Sequence, residues 1–332
     1  MLQLFTKRQF NLGLFLIAFT FFVLHSFAAQ HPPSLQVWSS SAPLAHALFE
    51  LLGATFLAKP IVSFILSSFL ILFQLVLVYR ILSKIKNLEK HSLLVVWMYC
   101  WLIHLFPEWS SFSPVQIAST LLLFILYRVY TLENYQKNGF LFGLSTLIGF
   151  SFLLWYPAIY LIPFIAILLF QYNAISFKKI SILLLSFSIP VIWFCIYFIL
   201  QDQGEELLFK FSTFHLSKVS FHPIDVLQVV ALGLIALPIM AGFLEAWSLS
   251  NKTIKLSRLF INSLFVLIFC LGLGFMLSSN DFMYSFHGLI LPFSLFLAIF
   301  INNFKRTKHA EIAHIILLLA VLFNFVYQII FN

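Results

Sequence analysis

The sequence predicts an all-α membrane protein, a single domain over residues 1–332 that forms a polytopic bundle of about eleven transmembrane helices. Composition is the first observation: 62% of the residues are hydrophobic and 9% are charged, whereas a soluble domain carries about 25% charged residues. The mean hydropathy of +1.02 agrees. The third observation is the length of the apolar stretches, which suffices to cross a hydrocarbon core of about 30 Å. Such stretches are helical because lipid offers no partner to backbone polar groups.

The predicted spans follow one another with short loops, except for two longer external segments at 30–59 and 201–223. Pro157 lacks a backbone N–H and disfavours helix at the residue before it, so the apolar stretch around it is divided into two spans. The predicted spans are 11–29, 60–83, 92–106, 114–131, 139–154, 157–172, 178–200, 224–248, 256–278, 285–304 and 310–331.

The distribution of basic residues orients these spans. With the N-terminus in the cytoplasm and the C-terminus outside, sixteen of the nineteen Lys and Arg residues lie on the cytoplasmic side, as the positive-inside rule requires. Joining 139–172 into one helix would place the later basic clusters on the wrong sides. The net charge of +8 is thus explained by topology, and we expect no binding to nucleic acid. The sixteen residues are Lys7, Arg8, Arg80, Lys84, Lys86, Lys90, Arg128, Lys137, Lys178, Lys179, Lys252, Lys255, Arg258, Lys305, Arg306 and Lys308.

The first span has an alternative interpretation. Lys7 and Arg8, the apolar stretch after them, and the residues 26–28 resemble a signal peptide with its cleavage site. Cleavage would leave ten spans with the same later topology. We favour a retained first helix, because the first helix of a multi-span protein usually stays as an anchor.

Acid–base groups concentrate on the predicted outer face. The apolar pattern of segment 42–58 predicts a helix that lies on that face. His46 and Glu50 would stand one turn apart on the same side of this helix. Glu50 is the leading candidate for a catalytic role, as a general base or a cation ligand, with His46, Glu108 and Asp225 as candidate helpers. The competing interpretation is that all four are solvated loop residues.

The remaining motifs predict neither a metal nor another cofactor. Three cysteines lie inside apolar runs without a CxxC pair, and no two histidines are spaced as helix-face metal ligands. The nucleotide-binding and serine-hydrolase motifs are missing from the sequence. Gln74, Asn262 and Asn324 fall within predicted spans, where we expect hydrogen bonds between helices.

Residues 138–147 and 155–158, together with 5–7, Asn11 and 287–292, carry a resemblance to a known family. The chain resembles an uncharacterised family of bacterial multi-pass membrane proteins, a domain of unknown function. Some members bear a transferred name of β-carotene monooxygenase. The resemblance covers nearly the whole chain and implies a shared fold in the bacterial inner (cytoplasmic) membrane.

A more distant likeness links the predicted architecture to polytopic glycosyltransferases that use polyprenyl-phosphate sugars. Those enzymes place a catalytic carboxylate in a first external loop, and Glu50 in segment 30–59 takes the equivalent place. The chain departs from them because that loop lacks an acidic pair.

Three functions remain open on sequence alone. The first is a structural or assembly role in the cell envelope, with the lipid bilayer and envelope proteins as partners. The second is a glycosyltransferase-like enzyme with a polyprenyl-phosphate lipid as ligand, and the third is a passive carrier of lipids or small solutes.

Overall fold

The computed structural model describes residues 10–28, 42–53, 59–85, 92–106, 112–131, 137–202, 226–252, 255–277, 286–304 and 307–331. All regular structure within these ranges is helical, which confirms the predicted all-α class. The α-helices are α1 Phe10–Ala28, α2 Pro43–Leu52, α3 Pro60–Ser83, α4 Ser92–Ile103, α5 Pro114–Thr131, α6 Asn138–Leu154, α7 Leu161–Gln171, α8 Phe177–Leu200, α9 Val226–Lys252, α10 Lys255–Leu277, α11 Ile290–Asn302 and α12 Thr307–Phe331. Short 3₁₀ turns at Tyr156–Tyr160 and Phe286–Leu289 precede α7 and α11.

Four of the described helices, α3, α8, α9 and α12, are each long and apolar enough to cross a membrane. They also expose large apolar side chains, including Phe69 on α3, Leu185 and Trp193 on α8, and Leu237 on α9. A soluble surface would not carry such rows of exposed apolar groups, whereas lipid solvates them. The exposed surface of these helices is therefore rich in large apolar groups, as it is in helices that contact lipid.

The break predicted at Pro157 is confirmed. Helix α6 ends at Leu154, Trp155 takes an extended conformation, and the 3₁₀ turn starts at Tyr156. Phe140 and Leu141 in the first turn of α6 line the same small apolar gap as Leu168 and Leu169 in the last turn of α7. The two helices therefore fold back on each other instead of forming one kinked rod.

Helix α4 occupies the centre of the bundle. Every side chain in it is buried except that of Trp101, which is half-buried. Helices α1, α3, α11 and α12 all contact it. At about 1.5 Å per residue the helix is too short to cross a bilayer alone. In a membrane, a helix this short leaves the non-helical backbone beyond its ends at membrane depth. Such backbone is tolerated only where protein covers it, and the helices around α4 provide that cover.

Two glycines mark the closest helix approaches. A Cβ atom added at Gly149 on α6 would lie 2.5 Å from the Phe187 carbonyl oxygen and 2.9 Å from the Pro190 ring of α8. A Cβ atom added at Gly242 on α9 would overlap the backbone carbonyl of Phe296 on α11. Small residues at such crossings allow helix backbones to approach closely, which is the main packing device of membrane bundles.

Helix α2 is shorter than the predicted segment 42–58. It ends at Leu52 because Gly53 adopts a positive φ of 78°, the left-handed conformation that terminates helices. Ala45 is fully buried, and Leu48 packs against Phe112, which also contacts Leu66 of α3. Helix α2 is thus docked onto the bundle by one apolar face.

Candidate functional site

Two of the four predicted site residues lie on a described helix. His46 and Glu50 stand one turn apart in the backbone of α2, as predicted, while their side chains lie outside the described part of the structure. Glu108 and Asp225 lie outside the described residues altogether. The structure therefore places the backbone of the predicted pair, and a joint site of the four residues stays a prediction.

A second site comes from histidines that the sequence analysis did not pair. His25 near the end of α1 and His104 just after α4 have ring centroids 5.7 Å apart, with the rings nearly perpendicular. Both side chains are almost fully buried, at 1% and 0% exposure. The sequence predicted that both histidines lie near the ends of spans, but it did not predict that α1 and α4 are in contact.

Hydrogen bonds fix the orientation of both imidazole rings. His25 Nε2 lies 2.9 Å from Ser67 Oγ and 3.3 Å from the Phe64 carbonyl oxygen of α3. His104 Nδ1 lies 2.7 Å from the Cys100 carbonyl oxygen, one turn earlier in the chain. A carbonyl oxygen only accepts hydrogen bonds, so the donors are His25 Nε2–H and His104 Nδ1–H.

These assignments leave one bare nitrogen on each neutral ring. His25 Nδ1 and His104 Nε2 are buried and have no hydrogen-bond partner among the described residues. The surroundings are apolar: the Phe21 and Phe64 rings each stack on His25 at 5.0 Å, and Phe21 meets the edge of His104 at 6.0 Å. The two unshared electron pairs of the histidine pair are therefore buried among aromatic side chains.

A separate polar network ties α3, α4 and α5 together. Gln74 Nε2 donates to Thr120 Oγ1 at 2.7 Å and to Ser119 Oγ at 3.2 Å, while the Tyr99 hydroxyl donates to Gln74 Oε1 at 2.9 Å. All four side chains are buried. The predicted hydrogen bond between helices at Gln74 is confirmed, and the network serves packing rather than chemistry.

Helices α4 and α12 are joined by two further polar contacts. Trp97 Nε1 donates to His314 Nε2 at 2.9 Å, and Asn324 Nδ2 donates to the Leu105 carbonyl oxygen at 2.8 Å. The second contact confirms the bond predicted for Asn324, whereas that for Asn262 stays a prediction. Hydrogen bonds of this kind hold helices together in lipid, where the alternative is an unsatisfied polar group.

Within the described ranges, no three His, Cys, Asp or Glu side chains gather closely enough to hold a metal by themselves. What the described site offers is a pair of neutral imidazole acceptors. A search against models of known protein families found no match, and a search of curated proteins found no significant relative.

Proposed function

We propose that the chain is a multi-pass protein of the bacterial inner membrane with eleven spans, its N-terminal side in the cytoplasm and its C-terminal side outside. Contacts between described helices support this arrangement. Trp97, in the first half of α4, meets His314 in the first half of α12, and Leu105 after α4 meets Asn324 late in α12. The two helices run parallel, as two spans that both leave the cytoplasm must.

An antiparallel contact supports the same topology. Tyr130 at the end of α5 is hydrogen-bonded to Ser263 and packs against Phe260, both in the first half of α10. In the proposed topology, successive spans alternate in direction, so α5 ends at the cytoplasmic side and α10 starts there. The end of α5 and the start of α10 are therefore expected to be neighbours. Membership of the uncharacterised family rests on the sequence resemblance and is part of this proposal.

Reporter fusions test the topology at the position where span counts differ. We expect a fusion truncated after Asn173, in the turn following α7, to give active green fluorescent protein and inactive alkaline phosphatase. The reason is that α6 and α7 each cross the membrane, which returns Asn173 to the cytoplasm. A fusion after Asp202, in the turn that ends α8, is the control and should show the opposite activities. Active phosphatase at Asn173 would rule out the eleven-span arrangement.

For the function, we propose a structural or assembly role in the cell envelope. The observation that carries this proposal is an interior built from large buried aromatic side chains, with helix α2 docked onto the bundle. Trp97, Tyr99, Phe164, Phe260 and Phe296 are among the largest fully buried side chains. A bundle packed in this way is a rigid support for α2, whose last turn presents an exposed Leu51.

Site-specific photo-crosslinking tests the assembly role. A photo-reactive phenylalanine analogue in place of Leu51 should form a discrete protein adduct in intact cells, because α2 is the surface offered to envelope partners. The same analogue in place of Leu185 on the lipid-facing side of α8 is the matched control and should yield lipid adducts. Lipid adducts alone from both positions would contradict the proposal.

The second candidate function is a glycosyltransferase-like reaction on a lipid-linked sugar. It is favoured by the way Leu48 and Ala45 anchor α2 to the bundle, because this packing fixes the backbone that carries His46 and Glu50. In this proposal Glu50 acts as the general base toward an acceptor hydroxyl or binds a cation.

Mass spectrometry of retained lipids separates the two candidates. If the enzyme proposal holds, detergent-purified protein retains a polyprenyl-phosphate species and Glu50→Gln retains less of it. Asp202→Asn, which changes an exposed acid elsewhere on the chain, is the control and should retain as much as the unchanged protein. Bulk phospholipid alone in all three samples would leave the assembly role as the better proposal.

A further inference from the structure

We propose that His25 and His104 form a two-ligand site for a monovalent copper ion, Cu(I). This goes beyond the envelope role and departs from the sequence expectation of no metal. The proposal starts from the two bare ring nitrogens, His25 Nδ1 and His104 Nε2, which are buried and unpartnered among the described residues. A buried acceptor without a donor is unfavourable, and one ion bound by both nitrogens would satisfy the two atoms together.

The hydrogen bonds that His25 Nε2 and His104 Nδ1 donate are of the kind that metal-binding histidines make with their second nitrogen. Metal-binding histidines usually donate their other N–H to a carbonyl or carboxylate, which fixes the tautomer and raises the basicity of the ligating nitrogen. His104 does so to the Cys100 carbonyl at 2.7 Å, and His25 does so to the Phe64 carbonyl and Ser67. Both rings are therefore held in a tautomer whose second nitrogen is free of a proton and can bind an ion.

The spacing of the rings suits one shared ion. Metal–nitrogen bonds to histidine are about 2.0 Å long. Ring centroids 5.7 Å apart are close enough for both imidazoles to reach a single ion through such bonds. Helices α1, α3 and α4, which surround the two rings, contact one another, so the rings are held in place by packed helices.

The number and charge of the ligands select Cu(I). Zinc sites use three or four protein ligands. Cu(I), by contrast, forms linear complexes with two ligands, so two neutral nitrogens can complete its coordination. A divalent ion would carry more uncompensated charge into a pocket walled by Phe21 and Phe64, and charge is strongly penalised in apolar surroundings. Imidazole is also among the ligands that suit copper.

Competitive copper titration tests the site in the full chain. Detergent-purified protein is loaded with Cu(I) under anaerobic, reducing conditions and competed with a chromophoric Cu(I) chelator. We expect one Cu(I) per chain, and a loss of affinity of at least about 100-fold in both His25→Leu and His104→Leu. His309→Gln, which changes an exposed histidine at the start of α12, is the matched control and should bind as the unchanged protein does.

X-ray absorption spectroscopy of the loaded, unchanged protein provides a readout that needs no variant to fold. We expect two nitrogen ligands and no sulfur ligand around the ion. Failure to retain Cu(I), equal affinity in both leucine variants, a sulfur ligand, or binding of Zn(II) in preference to Cu(I) would each overturn the proposal.

Discussion

Gly242→Ala is expected to lower the free energy of unfolding by about 2 kcal/mol, even though alanine is the better helix former. The added methyl group would overlap the Phe296 carbonyl, which is backbone inside α11 and cannot rotate away. Helices α9 and α11 must therefore separate, and the Phe243 and Phe265 rings that pack on Phe296 lose contact. Chemical unfolding in detergent, followed by circular dichroism, measures the change.

Gly233→Ala in the same helix is the matched control. An added Cβ at Gly233 meets nothing within 4 Å, so this substitution should be neutral or stabilise the protein by up to about 1 kcal/mol. Equal effects of the two substitutions would mean that the approach of α9 to α11 is not as close as the structure has it.

Gln74→Leu is expected to destabilise the bundle by about 2 kcal/mol through the buried polar network. Ser119 and Thr120 keep an acceptor in the Gln116 carbonyl, but the Tyr99 hydroxyl loses Gln74 Oε1. Tyr99 is buried in the central helix, so its hydroxyl would stay unsatisfied in a dry interior. The same unfolding measurement gives the value.

A double-mutant cycle identifies the cause of that loss. Tyr99→Phe should cost about 1 kcal/mol less in the Gln74→Leu background than in the unchanged protein, because the orphan hydroxyl is then removed. Ser188→Ala, which deletes an exposed hydroxyl bonded within its own helix, should stay within about 0.5 kcal/mol of the unchanged protein. Strict additivity at Gln74 and Tyr99 would contradict the network.

The positions of the helices were largely predictable from the sequence. A described helix overlaps each of the eleven predicted apolar stretches, and α3 and α5 start at Pro60 and Pro114, because proline fits the first turn of a helix. The end of α2 was predicted too late. Apolar residues continue beyond Gly53, and its left-handed conformation could not be inferred from hydrophobicity.

The histidine pair could not be predicted, for a different physical reason. Hydropathy and charge predict the depth of a residue along its span, and they predict that both His25 and His104 lie toward the outer face. They do not state which spans are neighbours, since all lipid-facing helices are similarly apolar. The contact of α1 with α4 depends on side-chain packing, which a single sequence does not reveal.

Pro190 has a consequence for the order in which the bundle assembles. Its missing N–H deprives the Ser186 carbonyl of the usual helical donor, and Thr146 Oγ1 of α6 lies 3.5 Å from that oxygen. The proline ring meanwhile fits against Gly149. Most of the surface of α8 is not covered by other helices, and the helix is long and apolar enough to cross a membrane. We therefore expect α8 to insert into the bilayer first and to pack against α6 afterwards, by lateral diffusion. Pro190 then fixes the position of α6 along α8. A shift by one helical turn, about 5.4 Å, would break both the contact of Thr146 with the Ser186 carbonyl and the contact of Gly149 with the proline ring.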